Sequence, residues 1–448
     1  MINAPSLESL PSAPLLTAEF DIDPSAVYAR LRNTYGPVAP VNLAGVPVWL
    51  VLGYQQVLDV LRNDTTWRSD IRHWRAHREG KLPTNWPLLT GYEIRQTMFL
   101  DGAEHGAARQ TLYSALESFQ DVRTQRGWGL RAAVLRYADE LITTLANETG
   151  LTGIADLNAQ YTKPLVLMLV HRLFGFPDEL DSDVLSSFWQ MLDGGPDAAA
   201  ATARILEDMT ELAAYRRAAP GDDFPSAMLA ADPSLSDAQL GRELFVNAVY
   251  LTEATGNMIL STLLQFLGRS VTPTGNVPDR VITDMVNWVA LHNPPIVNLN
   301  FRFPSQDVQM GNFLIRTGDV VVPSLAGAHE ELASLGHAGG ASRAHLAWGA
   351  GPHRCPSGAQ ELTVTVVRAA VSRVFEHLAD AELAIPPSRL PWHSGLSVRG
   401  LRHLPVRYAI KPTSSVLILE RPAPSLGVAG EPRGALAALR RGLRGIRR

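Results

Sequence analysis

The one cysteine of the chain, Cys355, has neighbours that favour chemistry over simple packing. The segment 348–358 reads Trp-Gly-Ala-Gly-Pro-His-Arg-Cys-Pro-Ser-Gly and directly precedes a helical pattern over residues 360–380. Pro356 suits the first position of that helix, where a missing N–H costs nothing, so Cys355 is expected at the helix N-terminus. The helix dipole, the unpaired N–H groups and the charge of Arg354 stabilise a thiolate there. Without such neighbours, a lone cysteine is usually a small buried hydrophobe.

Two glycines before the cysteine, Gly349 and Gly351, predict a sharp turn that a flat group can approach without meeting Cβ atoms. A thiolate in a glycine-lined loop is what a haem iron needs as an axial donor, and such a donor favours O–O cleavage. We therefore predict that Cys355 is the axial ligand of a haem iron.

This segment resembles the haem-binding loop of the cytochrome P-450 family, whose pattern is Phe-Gly-x-Gly-x-x-x-Cys-x-Gly. The chain departs from it twice, because Trp348 replaces the phenylalanine and Ser357 stands at the last glycine position. The resemblance covers roughly residues 20 to 410. It implies haem b as the cofactor, Cys355 as the metal ligand, and Trp348 and Gly349 as cofactor-binding residues.

Four further residues match family positions that contact the haem propionates. His105 and Arg109 form the His-x-x-x-Arg pair of a helix, and residues four apart share a helix face. Their alternative interpretation is an ordinary surface pair. Arg302 matches the family arginine on a strand, and His353 lies two residues before the cysteine. Two buried carboxylates need such donors and cations, so the resemblance implies all four as cofactor-binding residues.

The family's Glu-x-x-Arg pair is missing. The corresponding stretch is 284–295, where alignment on Pro294 and Pro295 puts Trp288 in place of the glutamate and Leu291 in place of the arginine. Because both charges are replaced together by apolar groups, no unpaired buried charge remains. The loss therefore does not exclude haem binding.

The family's oxygen-site pattern, Ala-Gly-x-(Asp/Glu)-Thr-Thr, is also altered. Glu253 keeps the acid, but Ala254 stands where the proton-relaying hydroxyl normally lies. Thr255 follows about 100° around the helix and substitutes only if the helix kinks there. The resemblance implies Glu253 and Thr255 as catalytic residues that deliver protons, and the alternative for Glu253 is a satisfied helix carboxylate.

Helical periodicity dominates the elements that must position these residues. It predicts helices over 130–148, 360–380 and 237–268, the last with a capping box at its start and apolar nearly all round, as in a helix through the middle of a protein. Hairpins are predicted over 38–52, around Ala44 and Gly45, and over 308–322, with a turn near residues 317–319. We expect a mainly α protein of the cytochrome P-450 fold, with a long central helix over the haem and a small peripheral β region.

Composition bounds the location and the domains. A single cysteine excludes an intramolecular disulfide, and we find no signal peptide or long apolar run, so a cytoplasmic protein without a transmembrane segment is expected. The formal net charge of −4 gives no case for nucleic acid. We predict an N-terminal arm over 1–20, one P-450-like domain over 21–411, and a flexible Pro/Arg-rich tail over 412–448. The tail ends with six arginines in sixteen residues, which predicts a solvated tail or, alternatively, a basic amphipathic helix that contacts anionic lipid or an acidic partner.

The resemblance implies a monooxygenase that inserts one oxygen atom of O2 into a small apolar organic substrate. The electrons would come from NAD(P)H through a ferredoxin and its reductase. We expect Tyr250, Ile296 and Val297 to line the substrate pocket. The aromatic-rich segment 67–92, with its tryptophans 74 and 86, is either a mobile lid or a long surface loop.

Two other functions stay open. The altered oxygen site and missing ion pair are compatible with a non-oxygenating haem protein that regulates or recruits a partner, or with a peroxide-driven enzyme. An actinobacterial subset of the family resembles the chain in lacking the full Glu-x-x-Arg pair and in the approach over 341–348. Some members of that subset are encoded beside G-protein-like signalling modules, which makes a signalling-protein partner a further hypothesis.

Overall fold

A computed structural model describes residues 5–84, 86, 88–120, 125–177, 181–193, 197–268, 275–337 and 343–411. The predicted arginine-rich tail therefore lies outside the described residues. The α-helices of the described part, α1 to α16 in chain order, are Ala18–Ile22, Pro24–Tyr35, Tyr54–Arg62, Arg75–Arg78, Leu89–Glu93, Gly102–Gln120, Gln125–Thr149, Lys163–Phe174, Asp181–Asp193, Ala198–Ala218, Phe224–Ala231, Asp237–Tyr250, Gly256–Leu267, Asp279–His292, Leu325–Ser334 and Ser357–His377.

The strands are short. In chain order, β1 to β13 are Ala13–Pro14, Val38–Leu43, Val46–Val51, Trp67–Arg68, Thr152–Asp156, Phe303–Pro304, Val308–Met310, Phe313–Ile315, Val321–Pro323, Leu378–Leu383, Trp392–Ser394, Arg399–Leu401 and Pro405–Ile410. Short 3₁₀ turns cover Leu7–Ser9, Ile71–His73, Thr97–Phe99 and Pro387–Arg389, and π-helical turns cover Asn158–Thr162 and Leu251–Thr255. The mainly α class is confirmed.

The chain forms two compact units. The first comprises residues 1–109, 284–360 and 391–402, and it holds the four-stranded sheet β1-β2-β3-β9. The hairpin predicted over 38–52 is confirmed as β2 and β3, joined by Ala44 and Gly45 with φ of 49° and 92°. Positive φ at both turn residues matches the right-handed twist of the strands.

The second predicted hairpin is shorter than expected, and its turn lies elsewhere. β7 pairs with β8 around Gly311, whose φ is 55°, whereas β9 leaves the hairpin and pairs in parallel with β3. The predicted turn near Thr317 to Asp319 is instead the connection into β9. The Asp319 carboxylate orders it by accepting hydrogen bonds from the Arg316 N–H and the Trp49 indole N–H.

Of the described residues, the second unit comprises those within 110–283, 361–390 and 403–411, and the sheet β10-β13-β5 lies within it. The helix predicted over 237–268 is present as α12 and α13, and its predicted capping box of Ser236 and Gln239 is confirmed. The π-helical turn Leu251–Thr255 separates the two helices. In α13, Ile259 and Leu263 are fully buried, and each such side chain contributes about 1.5–3 kcal/mol.

None of the helices in the described ranges combines the length and the apolar character needed to cross a bilayer. The domain boundaries predicted at residues 20 and 411 stay predictions.

Candidate functional site

The backbone around Cys355 is held from three directions, all within the first unit. The Cys355 N–H donates to the Trp348 carbonyl oxygen at 2.8 Å, which closes the loop on itself. The Gln360 side-chain amide donates to the Cys355 carbonyl at 2.7 Å. The Arg109 guanidinium donates to the Arg354 carbonyl. The loop is thus a defined turn that presents one thiol.

The helix after the cysteine begins one residue later than predicted. Ser357 is the first residue of α16, so Pro356 precedes the helix instead of occupying its first position. The Pro356 carbonyl nevertheless accepts the first helical hydrogen bond, from the Gln360 N–H at 3.1 Å. Cys355 therefore lies at the N-terminal end of α16, as expected.

Gly349 and Gly351 have φ of 70° and 68°, which non-glycine residues rarely adopt. A Cβ atom on Gly351 would lie 2.1 Å from the Leu61 carbonyl oxygen, so this glycine permits a close approach to the end of α3. A Cβ atom on Gly349 would lie 3.4 Å from Cα of Arg354. Gly351 is thus required by its packing against the end of α3, whereas Gly349 is favoured by its positive φ alone. The close approach of a flat cofactor to these glycines stays a prediction.

Burial raises the pKa of the Cys355 thiol to about 11, while the charges of Arg109 and Arg354 lower it. Arg354 acts in the predicted direction, but burial outweighs it. A thiol with this pKa is protonated at neutral pH in the protein alone. A metal that binds the sulfur must therefore displace a proton.

The four predicted propionate donors meet in the first unit. His105 and Arg109 lie on α6, and the His105 ring stacks on His353 with ring centroids 3.8 Å apart. Arg302 directly precedes β6 and is 4% exposed. Its guanidinium donates to the Phe301 carbonyl at 3.0 Å, and its charge acts on both histidines. The prediction of an ordinary surface pair for His105 and Arg109 is wrong, because they are 6% and 9% exposed.

The histidines of this cluster are uncharged at neutral pH. Burial, with the charges of Arg302 and Arg109, lowers the pKa of His353 to about 2. Burial also lowers the pKa of His105, and the nearby carboxylate of Asp101 opposes that shift. The positive charge of the cluster therefore comes from the two arginines.

The cluster fits a ligand with buried carboxylates. His105 Nε2 and His353 Nδ1 are buried and have no hydrogen-bond partner among the described residues. Buried polar atoms are normally satisfied, so these ring nitrogens point to a group that is not part of the chain. Two imidazoles and two guanidiniums beside a lone thiol match the needs of a haem with its two propionates.

Sequence reasoning missed three residues of this site. Ser69 Oγ lies 3.1 Å from His353 Nε2 and fixes that ring. Asp101 accepts hydrogen bonds from the N–H groups of Ser69 and Asp70 at 2.8 and 3.1 Å. Because Asp101 directly precedes α6, these bonds connect the backbone at residues 69 and 70 to the start of that helix. Gln360 is the third. Of the three, only Asp101 could have been found from the sequence, because it directly precedes the helix predicted from the His-x-x-x-Arg pattern.

The positions of the missing Glu-x-x-Arg pair lie on α14. Leu291 is 3% exposed, and the half-buried Trp288 stacks on His292 with ring centroids 4.4 Å apart. These positions are filled by packed side chains, as predicted from the simultaneous loss of both charges.

Glu253 lies in the π-helical turn of the second unit. Burial raises the pKa of its carboxyl, while the charge of Lys163 and a hydrogen bond from Asn257 lower it. Lys163 begins α8, and its ammonium lies over the Trp189 ring at 5.2 Å from the centroid. The carboxyl of Glu253 therefore holds its proton to a higher pH than an exposed glutamate.

Thr255 ends the same π-helical turn and is 1% exposed. Thr255 is predicted to replace the missing hydroxyl only if the helix kinks. A π-helical turn is such a local break in α-helical geometry. The Thr255 hydroxyl lies 3.2 Å from the Thr363 hydroxyl on α16, so it is engaged with that residue.

The residues predicted to line a substrate pocket have different environments. Val297 is 2% exposed and Ile296 packs on a core cluster, both in the first unit, whereas Tyr250 is half-exposed at the end of α12 in the second. The segment 67–92 is predicted to be either a mobile lid or a surface loop, but its two tryptophans are buried. Trp74 and Trp86 are 2% and 3% exposed and pack with Phe301.

Known proteins are similar to this chain over most of its length. No family model matches it. The chain is 26% identical over 397 residues to 2-hydroxy-5-methyl-1-naphthoate 7-hydroxylase of Streptomyces carzinostaticus, covering 84% of this chain and 93% of that protein. It is 27% identical over 398 residues to cytochrome P-450 107B1 of Saccharopolyspora erythraea, covering 85% and 94%.

Solved structures agree with these relatives. The structure of CYP154A1 from Streptomyces coelicolor A3(2) matches with a TM-score of 0.72 and 26% identity, covering 88% of this chain and 99% of that one. CYP154C4 from Streptomyces sp. ATCC 11861 matches with a TM-score of 0.75 and has the same fold at 23% identity. Together with the cysteine loop, these matches support the assignment of the chain to the cytochrome P-450 family, whose members among the relatives are named as hydroxylases and monooxygenases.

Proposed function

We propose that Cys355 binds the iron of haem b and that the protein inserts one oxygen atom of O2 into a small apolar organic substrate. The observation that carries this proposal is the single thiol in a loop held by Trp348, Gln360 and Arg109, within a chain of this family. When bound, thiolate-ligated haem supplies the reductive activation of O2. The remaining roles belong to side chains of the chain.

In this proposal Cys355 would hold the iron as a thiolate, so its thiol would have to give up its proton. The raised pKa of its thiol means that Arg109 and Arg354 do not ionise it at neutral pH without the metal. Trp348 and Gly349 shape the loop against the cofactor. The loop is already fixed by hydrogen bonds, so little conformational entropy is lost on binding.

His105, Arg109, Arg302 and His353 hold the two haem propionates. The arginines provide the charge, and the histidines provide the ring nitrogens that have no partner among the described residues. A propionate near the rings favours their protonated forms and raises their pKa values from the lowered range. Such charge-assisted hydrogen bonds contribute about 1.5–3 kcal/mol each.

Glu253 holds the proton that the oxygen chemistry consumes. A carboxyl with a raised pKa is better suited to general acid catalysis than an exposed glutamate is. Asn257, which donates to the Glu253 carboxylate at 3.3 Å, keeps the side chain on the α13 side of the turn. Thr255 has a hydroxyl bonded to Thr363 and serves as a second proton carrier only if that contact opens.

The substrate class follows the relatives. Their names include a naphthoate hydroxylase and the 6-deoxyerythronolide B hydroxylase of Saccharopolyspora erythraea, both of which act on organic molecules. We propose Ile296 and Val297, both in the first unit, as substrate contacts. A substrate contact of Tyr250 stays a prediction. The electrons come from NAD(P)H through a ferredoxin and its reductase, and the lone cysteine suits the reducing cytoplasm.

The alternative is a non-oxygenating haem protein that regulates or recruits a partner. Ala254, Trp288 and Leu291 motivate it, but the relatives are named as oxygenases, so we favour the monooxygenase. A signalling-protein partner stays a prediction, since two residues of its motif over 341–348 lie outside the described part.

The test is electron consumption by the haem-loaded protein. With a surrogate ferredoxin, its reductase and a panel of apolar substrates, we expect NADPH oxidation that yields hydroxylated product together with some hydrogen peroxide. Steady product from added peroxide with no reductase would instead indicate the peroxide-driven enzyme. No oxidation of NADPH, no peroxide and no product with any pair of redox proteins would contradict the monooxygenase and favour the alternative.

A further inference from the structure

The segment 343–349 contains neither helix nor strand and leads into the Cys355 loop. A histidine on α15 is hydrogen-bonded to its backbone. His329 is 3% exposed, and its Nε2 accepts a hydrogen bond from the Leu346 N–H at 2.6 Å. Leu346 is itself 5% exposed. A short contact between two buried groups fixes the backbone at this point.

Hydrogen bonds continue from this contact to the cysteine. The Gly349 N–H donates to the Leu346 carbonyl at 2.7 Å and makes the turn in which Gly349 takes its φ of 70°. The Cys355 N–H donates to the Trp348 carbonyl at 2.8 Å, inside that turn. The backbone that His329 holds is therefore the backbone on which the cysteine loop closes.

A second contact holds the start of the segment. The Tyr54 hydroxyl donates to the Ala344 carbonyl at 2.9 Å, and Glu331 on α15 accepts a hydrogen bond from the Tyr54 N–H at 2.6 Å. The segment is thus fixed at Ala344 from α3 and at Leu346 from α15. Leu346 is itself part of the turn that contains Gly349, because its carbonyl accepts the hydrogen bond from the Gly349 N–H.

The contact requires an uncharged imidazole. Because Nε2 accepts, the proton of the neutral ring lies on Nδ1, and an imidazolium has no acceptor for the Leu346 N–H. Burial, together with the neighbouring His345 and His292, lowers the pKa of His329 to about 3, while the backbone of Leu291 opposes the shift. Nδ1 has no partner in regular hydrogen-bond geometry among the described residues.

The side of α14 that should carry charge in this family is apolar here, at Trp288 and Leu291. The Leu291 backbone faces the His329 ring, so His329 lies between the end of α14 and the segment 343–349. The hydrogen bond between the uncharged His329 ring and the Leu346 N–H therefore lies next to the end of α14, where the family resemblance implies an ion pair.

We propose that His329 is a positioning residue for the haem ligand, in that its hydrogen bond to Leu346 sets the turn 346–349 and thereby the direction of the Cys355 sulfur. This proposal rests on the proposed function of Cys355 as the iron ligand. It assigns to an uncharged histidine the support of the loop that leads to the cysteine.

Three substitutions at one position separate the hydrogen bond from simple packing. His329→Gln keeps an acceptor at the reach of Nε2, His329→Asn keeps an amide that is too short, and His329→Leu removes polarity. His337→Leu, at an exposed position beyond the end of α15, is the matched control. If His329→Leu does not fold, the comparison of Asn with Gln decides.

The first readout needs no haem. In the purified protein, hydrogen exchange of the Leu346 amide should be at least tenfold faster in His329→Asn and His329→Leu than in the parent, while His329→Gln and His337→Leu should stay within threefold. The second readout is the ferrous carbon monoxide spectrum of the haem-loaded protein. The Asn and Leu variants should show a fraction of protein without the thiolate-shifted Soret band, and Gln should restore the band.

Unchanged amide exchange in both the Asn and the Leu variants would overturn the proposal, as would a Gln variant that behaves like Asn. Faster exchange without any spectral change in the haem-loaded Asn and Leu variants would also overturn it, because the turn would then not direct the sulfur. A parent without the thiolate-shifted band would instead contradict the proposed function, and exchange at Leu346 would still report whether His329 holds the segment.

Discussion

His105 and His353 stack face to face, with ring centroids 3.8 Å apart and ring planes inclined by 20°. One lies on α6 and the other in the cysteine loop, so the stack joins two distant parts of the chain within the first unit. Each ring has a buried nitrogen without a partner among the described residues. The pair is therefore built to receive acceptor atoms that the chain does not supply.

Replacing either histidine should weaken haem binding. We expect His105→Leu and His353→Leu each to reduce haem affinity about tenfold or more, since a charge-assisted hydrogen bond contributes about 1.5–3 kcal/mol. The double variant should lose less than the sum of the two, because the rings support each other. Haem titration measures the affinities, with His337→Leu as the control. Unchanged affinity in both single variants would contradict the assignment.

Glu253→Gln should lower product formation about a hundredfold, because the chain would lose a carboxyl whose pKa burial raises and that can deliver a proton. Lys163→Met should move the pH dependence of turnover upwards, since the Lys163 charge lowers the pKa of Glu253. Turnover measured against pH tests both expectations. The exposed Glu361→Gln is the control, and a Gln variant at parental activity over the whole pH range would remove Glu253 from the mechanism.

The aromatic cluster of Trp74, Trp86 and Phe301 should behave as core. Trp86→Ala removes a 3% exposed side chain and the hydrogen bond from its indole N–H to the Leu43 carbonyl at 3.1 Å. Deleting a buried tryptophan side chain costs about 3–5 kcal/mol of unfolding free energy. Tyr215→Ala, at a 43% exposed position, should change it by less than about 0.5 kcal/mol. Urea unfolding measures both, and a small effect of Trp86→Ala would restore the mobile-lid interpretation.

Acid should destabilise the protein in part through His329. Its pKa is lowered from 6.5 to about 3 in the folded state, so between those values the unfolded chain binds a proton that the folded chain does not. The contribution is fully present above pH 6.5 and falls by at most about 1.4 kcal/mol per pH unit on acidification.

Urea unfolding of the haem-free protein at pH 7.5 and 5.5 tests this. His329→Gln should lose less stability between the two values than the parent does. An equal loss in both proteins would show that other groups account for the acid sensitivity.

Local patterns predicted the local structure well. The alternation over 38–52 and the Ala44-Gly45 turn gave the first hairpin, and the apolar periodicity over 237–268 gave α12 and α13 to within one residue. Each depends on neighbours in sequence, through turn conformation or helix periodicity. The π-helical turn had no such local signal, but a kink there was the stated condition for a role of Thr255.

Contacts between distant residues could not be predicted in this way. The approach of Gly351 to the Leu61 carbonyl, the Thr255–Thr363 hydroxyl pair and the contact of His329 with Leu346 depend on tertiary packing. The resemblance predicted Cys355, His105, Arg109, Arg302 and His353 as site residues, because these residue types recur at fixed spacings in the family. It gave no sign of Ser69, Gln360 or His329, which act through hydrogen bonds to those parts of the chain.

The most direct test of the account is the absorbance spectrum of the reduced, haem-loaded protein with carbon monoxide, compared with Cys355→Ala. Cys355 is the single thiol of the chain, so no other cysteine can replace it. We predict a strongly red-shifted Soret band in the parent and its absence in the variant, since thiolate ligation produces the shift. A parent that binds no haem, or that binds it without the shift, would contradict the assignment of Cys355 as the iron ligand.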